Sequence, residues 1–210
     1  MKKLIVRIEH DSDIENPCEN GDNQWTLYSF CSRHVNFKHP DDLGVTVGRN
    51  HVEKVSNRTL KRRLECGHAF WLGYFEHGQS CWFRTNTPPV GVEFQWDGVR
   101  YAGLLVWEHK PSEMGAKTYE DRAKDADLFL RVYTSWANGE GLYYVIEDED
   151  GEHVDSCGGF YGCDSDYMLR EMAHELIGHE FEVQGYADYL EDDLRSIVRE
   201  LEAKQETTTA

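Results

Sequence analysis

The sequence has no long apolar run and no excess of basic residues. No stretch approaches the roughly 18 consecutive apolar residues that a membrane-spanning helix needs. Near its start only Leu4, Ile5 and Val6 precede further charges, which is too short for the apolar core of a secretion signal, so we expect no such signal. Lys and Arg number 22 against 39 Asp and Glu, for a formal net charge of −17. This charge excludes a protein that holds DNA, RNA or an anionic membrane by general basicity, unless basic residues are segregated in one patch.

The composition is that of a folded protein. Hydrophobic residues make up 40% and aromatic residues 12% of the 210 positions, which is enough for a buried core. The chain has six cysteines. Because no secretion signal is expected, reduced thiols or metal ligands are favoured over disulfide bonds.

Charge is distributed unevenly along the chain. Residues 1–139 hold 19 acidic and 18 basic side chains, whereas residues 140–210 hold 20 and 4. The sequence therefore predicts a near-neutral β-rich body with one helix over residues 1–139. An acidic hairpin with helices over residues 140–206 is expected to pack on this body as one domain, and residues 207–210 are expected to fray.

Residue patterns in the body predict an α+β fold. A mixed or antiparallel sheet in the N-terminal two-thirds is favoured by alternating or aromatic-rich segments at residues 3–9, 25–30, 69–75, 81–84, 91–96 and 101–107. Thr118 and Asp121 resemble a helix capping box, and Asn138 with Gly139 is a typical helix end. One helix is therefore predicted between them.

The acidic third continues with a hairpin and two C-terminal helices. Asp150 and Gly151 indicate a type I′ turn between strands at residues 141–146 and 153–156. A helix is predicted from Asp164 or Ser165 to Gly185, and a second one from Ala187 onward.

Four residues of the types that bind zinc fall within 16 positions: Cys66, His68, His77 and Cys81. Their spacing matches no common zinc finger. The alternative is two small cysteines in the core and two histidines in turns. Cys31 and His34 could complete another zinc site.

The segment at residues 11–23 predicts a long loop rich in carboxylates. Such loops bind hard cations, although Pro17 argues against an EF-hand, and carboxylates in loops also cap turns. If the carboxylates of this loop came together with two polar residues from later loops, they would form the site of a Mg²⁺- or Mn²⁺-dependent hydrolase. The residues of that alternative polar site are Asp11, Asp13, Glu15, His77 and Asp97.

Two other motifs resemble catalytic motifs but lack a feature that the catalysis needs. His174 and His179 are five residues apart, about 140° around a helix, so both rings cannot reach one metal as in a zinc protease. Cys157 would need a neighbouring base to act as a nucleophile, and no base is evident from the sequence.

The chain has one basic cluster, which lies between Arg49 and Arg63. It is the one place where a nucleic-acid phosphate could dock, although such runs are usually solvated faces. Its members are Arg49, Lys54, Arg58, Lys61, Arg62 and Arg63.

Three stretches resemble a family of uncharacterised bacteriophage-encoded proteins. They are DSDIENPCENGDN at residues 11–23, YFEHG at residues 74–78 with Trp96 and Asp97, and EDEDGEHVDSCGGFYG at residues 147–162. Cys18 and Gly158 depart from that family, which has Arg and Trp at those positions. The resemblance implies a phage gene product expressed in the cytoplasm of a bacterial host, and it supplies no catalytic residue.

Two functions are consistent with these features. The favoured one is a phage accessory protein that inhibits or redirects a host nucleic-acid enzyme or anti-phage defence complex by presenting an acidic surface to it. The alternative is the metal-dependent hydrolase, acting on nucleotides or nucleic acid. The residues expected at the acidic surface are Glu147, Asp148, Glu149, Asp150, Glu191, Asp192 and Asp193.

Overall fold

The computed structural model describes residues 3–19, 25–94, 96 and 98–209. The chain forms two compact units, Met1–Glu15 with Gly139–Ala210 and Asn16–Asn138. The first holds 24 Asp or Glu against 7 Lys or Arg, and the second holds 15 of each. We therefore call them the acidic unit and the neutral unit.

The fold is α+β with mostly antiparallel sheets, as predicted. The described residues form ten strands and four α-helices, apart from short 3₁₀ turns. In chain order these are β1 (Leu4–His10), β2 (Trp25–Ser29), β3 (Val45–Val47), β4 (Val52–Val55), α1 (Arg58–Cys66), β5 (Ala69–His77), β6 (Gln79–Arg84), β7 (Gly98–Trp107), α2 (Tyr119–Ala137), β8 (Gly141–Asp148), β9 (His153–Tyr161), α3 (Ser165–Leu176), β10 (Phe181–Gly185) and α4 (Glu191–Thr209).

The acidic unit is a four-stranded sheet in the order β10-β1-β8-β9, with one face covered by α3 and α4. β10 runs parallel to β1, and the other pairs are antiparallel. Alternate residues of β1 and β8 point to the helices, because successive side chains of a strand face opposite sides. The strand β1 was expected in the N-terminal body, yet its partners are these C-terminal strands. The whole neutral unit thus lies in the connection from β1 to β8.

The predicted hairpin is present as β8 and β9, but its turn is not type I′. A type I′ turn needs positive φ at both central residues, and of the two only Gly151 has it, with φ 81°. The Asp148 carboxylate instead accepts hydrogen bonds from the backbone N–H groups of Asp150 (2.9 Å) and Glu152 (3.0 Å). This side chain holds a longer turn in which a single residue is left-handed.

The first C-terminal helix is shorter than predicted. α3 ends at Leu176, and Gly178 follows with φ 73°, a left-handed conformation that stops a helix. Phe181 and Val183 are buried and Gln184 is exposed, which is the alternation of a strand. Gly185 therefore ends β10 and not a helix. α4 begins at Glu191 and continues through Thr209, beyond the point where fraying was expected.

The neutral unit is a four-stranded antiparallel sheet in the order β2-β7-β5-β6. The amphipathic helix α2 covers one face, and its N-cap is Thr118, whose hydroxyl accepts from the Asp121 N–H at 3.1 Å as predicted. α1 and the small β3–β4 sheet pack against part of the other face.

Two predictions for this unit were wrong. α1 was not expected, because it has one buried side chain, Leu60, and hence no apolar stripe. A strand was expected at residues 91–96, but none of the described residues between β6 and β7 forms one.

Candidate functional site

The net charge of −17 lies entirely within the acidic unit, since the neutral unit has equal numbers of acids and bases. The acidic unit is therefore the candidate interaction surface of the protein. The residues predicted at that surface fall into two groups, one at the turn between β8 and β9 and one at the start of α4.

Two of the four acidic residues at the hairpin have structural roles. Glu147 forms a salt bridge with Arg7 of the neighbouring strand β1. Asp148 is buried, and its carboxylate holds the turn. Glu149 and Asp150 are exposed at the tip. The exposed carboxylates of the hairpin are therefore those at its tip.

At the start of α4, one of three acidic residues has a partner within the unit. Glu191 accepts from Arg195 Nε at 2.9 Å, and Arg195 also donates to the Phe181 carbonyl oxygen at 2.8 Å. Asp192 and Asp193 are exposed. Negative charge is favourable in the first turn of a helix, because the backbone dipole is positive there.

The two groups lie at opposite ends of the sheet. Asp148 pairs with Leu4, where β10 also begins with Phe181. β10 then runs parallel to β1, and the Ala187 N–H donates to the Ile8 carbonyl at 3.3 Å shortly before α4 starts. Leu4 and Ile8 are four strand residues apart, about 13 Å. The predicted acidic surface is therefore two separate patches.

The four predicted zinc ligands do not come together. Cys66 and His68 lie just before β5, whereas His77 is its last residue and Cys81 follows on β6. β5 spans about 26 Å between its ends. No group of three or more His, Cys, Asp or Glu residues in the described part of the chain is arranged to hold a metal ion.

Cys66 and His68 instead form a pair, with Sγ 2.9 Å from Nδ1. Cys66 is the last residue of α1. His68 is only 5% exposed, and its Nε2 makes no hydrogen bond to a described residue. Burial lowers the pKa of His68, and Arg122 and Arg63 lower it further. A neutral, structural imidazole fits this environment better than a catalytic base.

We expect the neutral unit to lose stability as the pH falls from about 7 to 5. Burial holds the pKa values of His68 and His34 below the ordinary 6.5. The unfolded chain therefore binds protons near pH 6 that the folded unit does not. The contribution of each neutral histidine to the free energy of unfolding is fully present above about pH 6.5. It is lost as the pH falls through the folded-state pKa, by at most about 1.4 kcal/mol per pH unit for each histidine.

Tryptophan fluorescence in urea measures this effect, because all six tryptophans belong to the neutral unit. The variant His68→Asn should flatten the dependence of the unfolding midpoint on pH. The matched variant His109→Asn removes an exposed histidine of the same unit and should leave the dependence unchanged. A midpoint that does not move between pH 7 and pH 5 contradicts the prediction.

Within the alternative polar site, the Asp11 carboxylate serves as a local cap, and Glu15 takes part through its backbone. Asp11 Oδ1 accepts from the Asp13 N–H at 3.0 Å, and Asp11 Oδ2 accepts from the Gly159 N–H at 3.1 Å. The Glu15 carbonyl accepts from the Tyr161 hydroxyl at 2.9 Å. These contacts fix the loop against β9. His77 belongs to the neutral unit, and Asp97 lies outside the described residues.

The basic cluster is spread over the β3–β4 turn, β4 and α1. Arg63 forms a salt bridge with Glu108 at 3.2 Å. Arg49 lines a pocket of about 600 Å³, and Lys61 lines a second one of about 440 Å³. Arg100, Phe94 and Tyr101 also line these pockets, and no motif in the sequence marks them. Only their aromatic or basic character could have drawn attention to them.

Within the described ranges, no helix combines the length and apolarity that a membrane span requires. No protein-family model, no curated protein and no solved structure matches the chain.

Proposed function

We propose that the protein acts by binding, and that its acidic unit docks on a basic surface of another protein. The observation that carries the proposal is the segregation of charge, with a net −17 on one compact unit and zero on the other. A concentrated field of one sign attracts and orients a partner of the opposite sign and raises the association rate at low salt.

A nucleic-acid enzyme or a defence complex that handles DNA or RNA fits as the partner class. Such proteins carry a basic channel that binds phosphates, and clustered carboxylates can occupy the same channel. The resemblance to bacteriophage proteins supports a host protein as the target, because a phage product acts in the cell that it infects. The expected outcome is inhibition or redirection of the host enzyme.

The exposed carboxylates are the ones proposed to contact the partner. They are Glu149 and Asp150 at the hairpin tip and Asp192 and Asp193 on α4. Glu147, Asp148 and Glu191 are proposed to support these patches from within, through the contacts described above.

The test uses α4 and α2, which are both 19 residues long and both carry acidic side chains in the first turn. The variant Asp192→Asn with Asp193→Asn removes two charges from the acidic unit. The variant Glu120→Gln with Asp121→Asn makes the same change on the neutral unit. Capture of host proteins from bacterial lysate is compared for both variants and the unaltered chain, at about 50 and 200 mM salt.

The unaltered protein should retain a host nucleic-acid protein at low salt and release it at high salt. The α4 variant should retain roughly fivefold less of it, at about 0.5 kcal/mol for each exposed charge pair, while the α2 variant matches the unaltered protein. Equal losses in both variants, or no retained protein at low salt, would contradict the proposal.

A further inference from the structure

The neutral unit has a pocket of about 600 Å³ that combines positive charge with aromatic rings. Arg49, Asn50, Phe94, Trp96 and Arg100 line it. The volume lies within the range of small-molecule sites in proteins, which is about 300–1,000 Å³. The pocket therefore has room for a ligand with a planar ring and an anionic group.

An irregularity in β7 places Arg100 at this pocket. The pairing of β7 with β5 changes register between Leu72 and Tyr74, so residues 100–102 of β7 bulge from the ladder. A bulge re-aims the side chains around it. Arg100 extends over the ring of Phe94, with its guanidinium carbon 4.2 Å from the ring centroid.

Phe94 is supported by the Phe83 ring, which packs closely on the backbone of Gly73. The Phe83 ring lies over Gly73, where an added Cβ would come within 2.3 Å of it, and Phe94 packs on Phe83 at 6.0 Å between centroids. Arg100 thus lies over Phe94, Phe94 packs at a tilt against Phe83, and Phe83 covers Gly73 of β5. These contacts hold the Arg100 side chain at the pocket.

The two guanidinium groups of this pocket have no acidic partner among the described residues, and its tryptophan ring is exposed. Neither Arg49 nor Arg100 forms an ion pair with a described residue. Trp96 is 78% exposed. The pocket therefore presents an accessible indole ring together with two guanidinium groups, the groups that a planar anionic ligand contacts.

A second pocket, of about 440 Å³, adjoins the same bulge. Tyr101 follows Arg100 and contacts the Trp71 ring edge-on, at 5.8 Å between centroids. Lys61 and Tyr119 also line this pocket. Consecutive residues of β7 therefore serve two neighbouring pockets, and each pocket offers both aromatic rings and a basic group.

We propose that this face of the neutral unit binds nucleotides. The phosphate lies between Arg49 and Arg100, and the base stacks on Trp96. Guanidinium groups bind phosphate through paired N–H donors, and tryptophan stacks on any base. A base inside a duplex is not available for such stacking, so the ligand is a free nucleotide or a nucleotide of a single strand.

Two pockets side by side favour the single strand, with a second base against Trp71 and Tyr101. This site is distinct from the acidic unit and is independent of the function proposed for it. Because few phosphates are neutralised, the dependence of affinity on salt should be shallow, with a slope of about −0.7 for each phosphate contacted.

The test is a titration followed by fluorescence anisotropy. The probes are labelled AMP, a labelled single-stranded oligothymidylate of about six nucleotides and a labelled hairpin duplex. We expect saturable binding of AMP and at least tenfold tighter binding of the oligothymidylate if the second pocket takes part. AMP and oligothymidylate of equal affinity would assign the site to free nucleotides. Equal or tighter binding of the duplex would overturn the proposal.

Variants assign the binding to the pocket. Trp96→Ala should weaken binding of the oligothymidylate about tenfold, in line with the loss of one stacked base, and Trp96→Phe should restore part of it. Arg49→Gln should weaken binding and reduce the salt slope by about 0.7.

Two control variants change the same residue classes elsewhere. Arg131→Gln removes an exposed arginine from α2, and Tyr189→Ala removes an exposed ring from the acidic unit. Both should bind the oligothymidylate as the unaltered protein does. Equal losses in controls and pocket variants, or no saturable binding of any single-stranded probe at about 50 mM salt, would overturn the proposal.

Discussion

The variant Gly103→Ala should lower the urea midpoint of the neutral unit by roughly 1 M or more, a loss of about 3 kcal/mol. Gly103 lies on the inner strand β7, opposite Ser29 of β2. A Cβ built at this position would lie 2.3 Å from the Tyr28 carbonyl oxygen. The obstacle is backbone, which cannot rotate aside, so the two strands must separate.

Gly115→Ala is the control for this variant. No atom lies within 4 Å of a Cβ at Gly115, so the midpoint should stay within about 0.5 kcal/mol of the unaltered protein. Tryptophan fluorescence follows both variants, because the signal comes from the neutral unit alone. A Gly103→Ala protein with an unchanged midpoint would contradict the close approach of β2 and β7.

The second large effect is expected at the ion pair between β6 and α2. Arg84 donates to Asp127 through Nε (2.6 Å) and a terminal nitrogen (2.7 Å). The arginine side chain is 9% exposed and the carboxylate 43%. Asp127→Ala leaves a buried guanidinium without its partner, and we expect a loss of about 2 kcal/mol after allowance for the solvent around the carboxylate.

The reverse variant, Arg84→Met, should cost less. Methionine keeps much of the packing of the arginine stem, and the exposed Asp127 carboxylate stays hydrated. The double variant should be about as stable as Arg84→Met, since neither contains a buried guanidinium without a carboxylate partner. Urea unfolding of the two single variants and the double variant measures the coupling. A larger loss in Arg84→Met than in Asp127→Ala would show that packing outweighs the buried charge.

Elements with strong local signals could be predicted from the sequence. α2 has a capping threonine, an apolar stripe and a terminal Asn-Gly, and the structure contains each of these. The β8–β9 hairpin follows from two strand patterns around Gly151. These signals depend on neighbours within a few residues, so tertiary structure does not override them.

Features that depend on distant residues could not be predicted. The pairing of β1 with β8 and β10 joins segments more than 130 positions apart. The pocket depends on the bulge in β7 and on the Phe83 ring over Gly73, and neither leaves a periodic pattern. The predicted zinc ligands fail for the same reason, because β5 between them is extended and carries them apart.

The excess of acidic residues could be predicted from the sequence, but the role of each residue within the acidic surface could not. The sequence places the excess of carboxylates after residue 139, which is where the neutral unit ends. It does not reveal that Asp148 and Glu191 have structural roles, because hydrogen-bond partners such as the turn N–H groups and Arg195 are set by the folded backbone.

Because the neutral unit connects β1 to β8, it affects the order in which the two units can fold during synthesis. β1 and β8 are adjacent antiparallel strands, and the Asp11 N–H donates to the Gly141 carbonyl at 2.9 Å. The neutral unit is thus an insertion into the turn of a β-hairpin. Its residues 16–138 leave the ribosome as one continuous block and can fold at once.

β1 must wait until β8 is made, about 130 residues later. At elongation rates of about 5–20 residues per second this takes roughly 10 s, during which Leu4, Val6 and Ile8 have no sheet to join. An unpaired apolar strand is prone to pair with other chains. The nascent protein should therefore depend on a holding chaperone at its N-terminus until the last third of the chain has been translated.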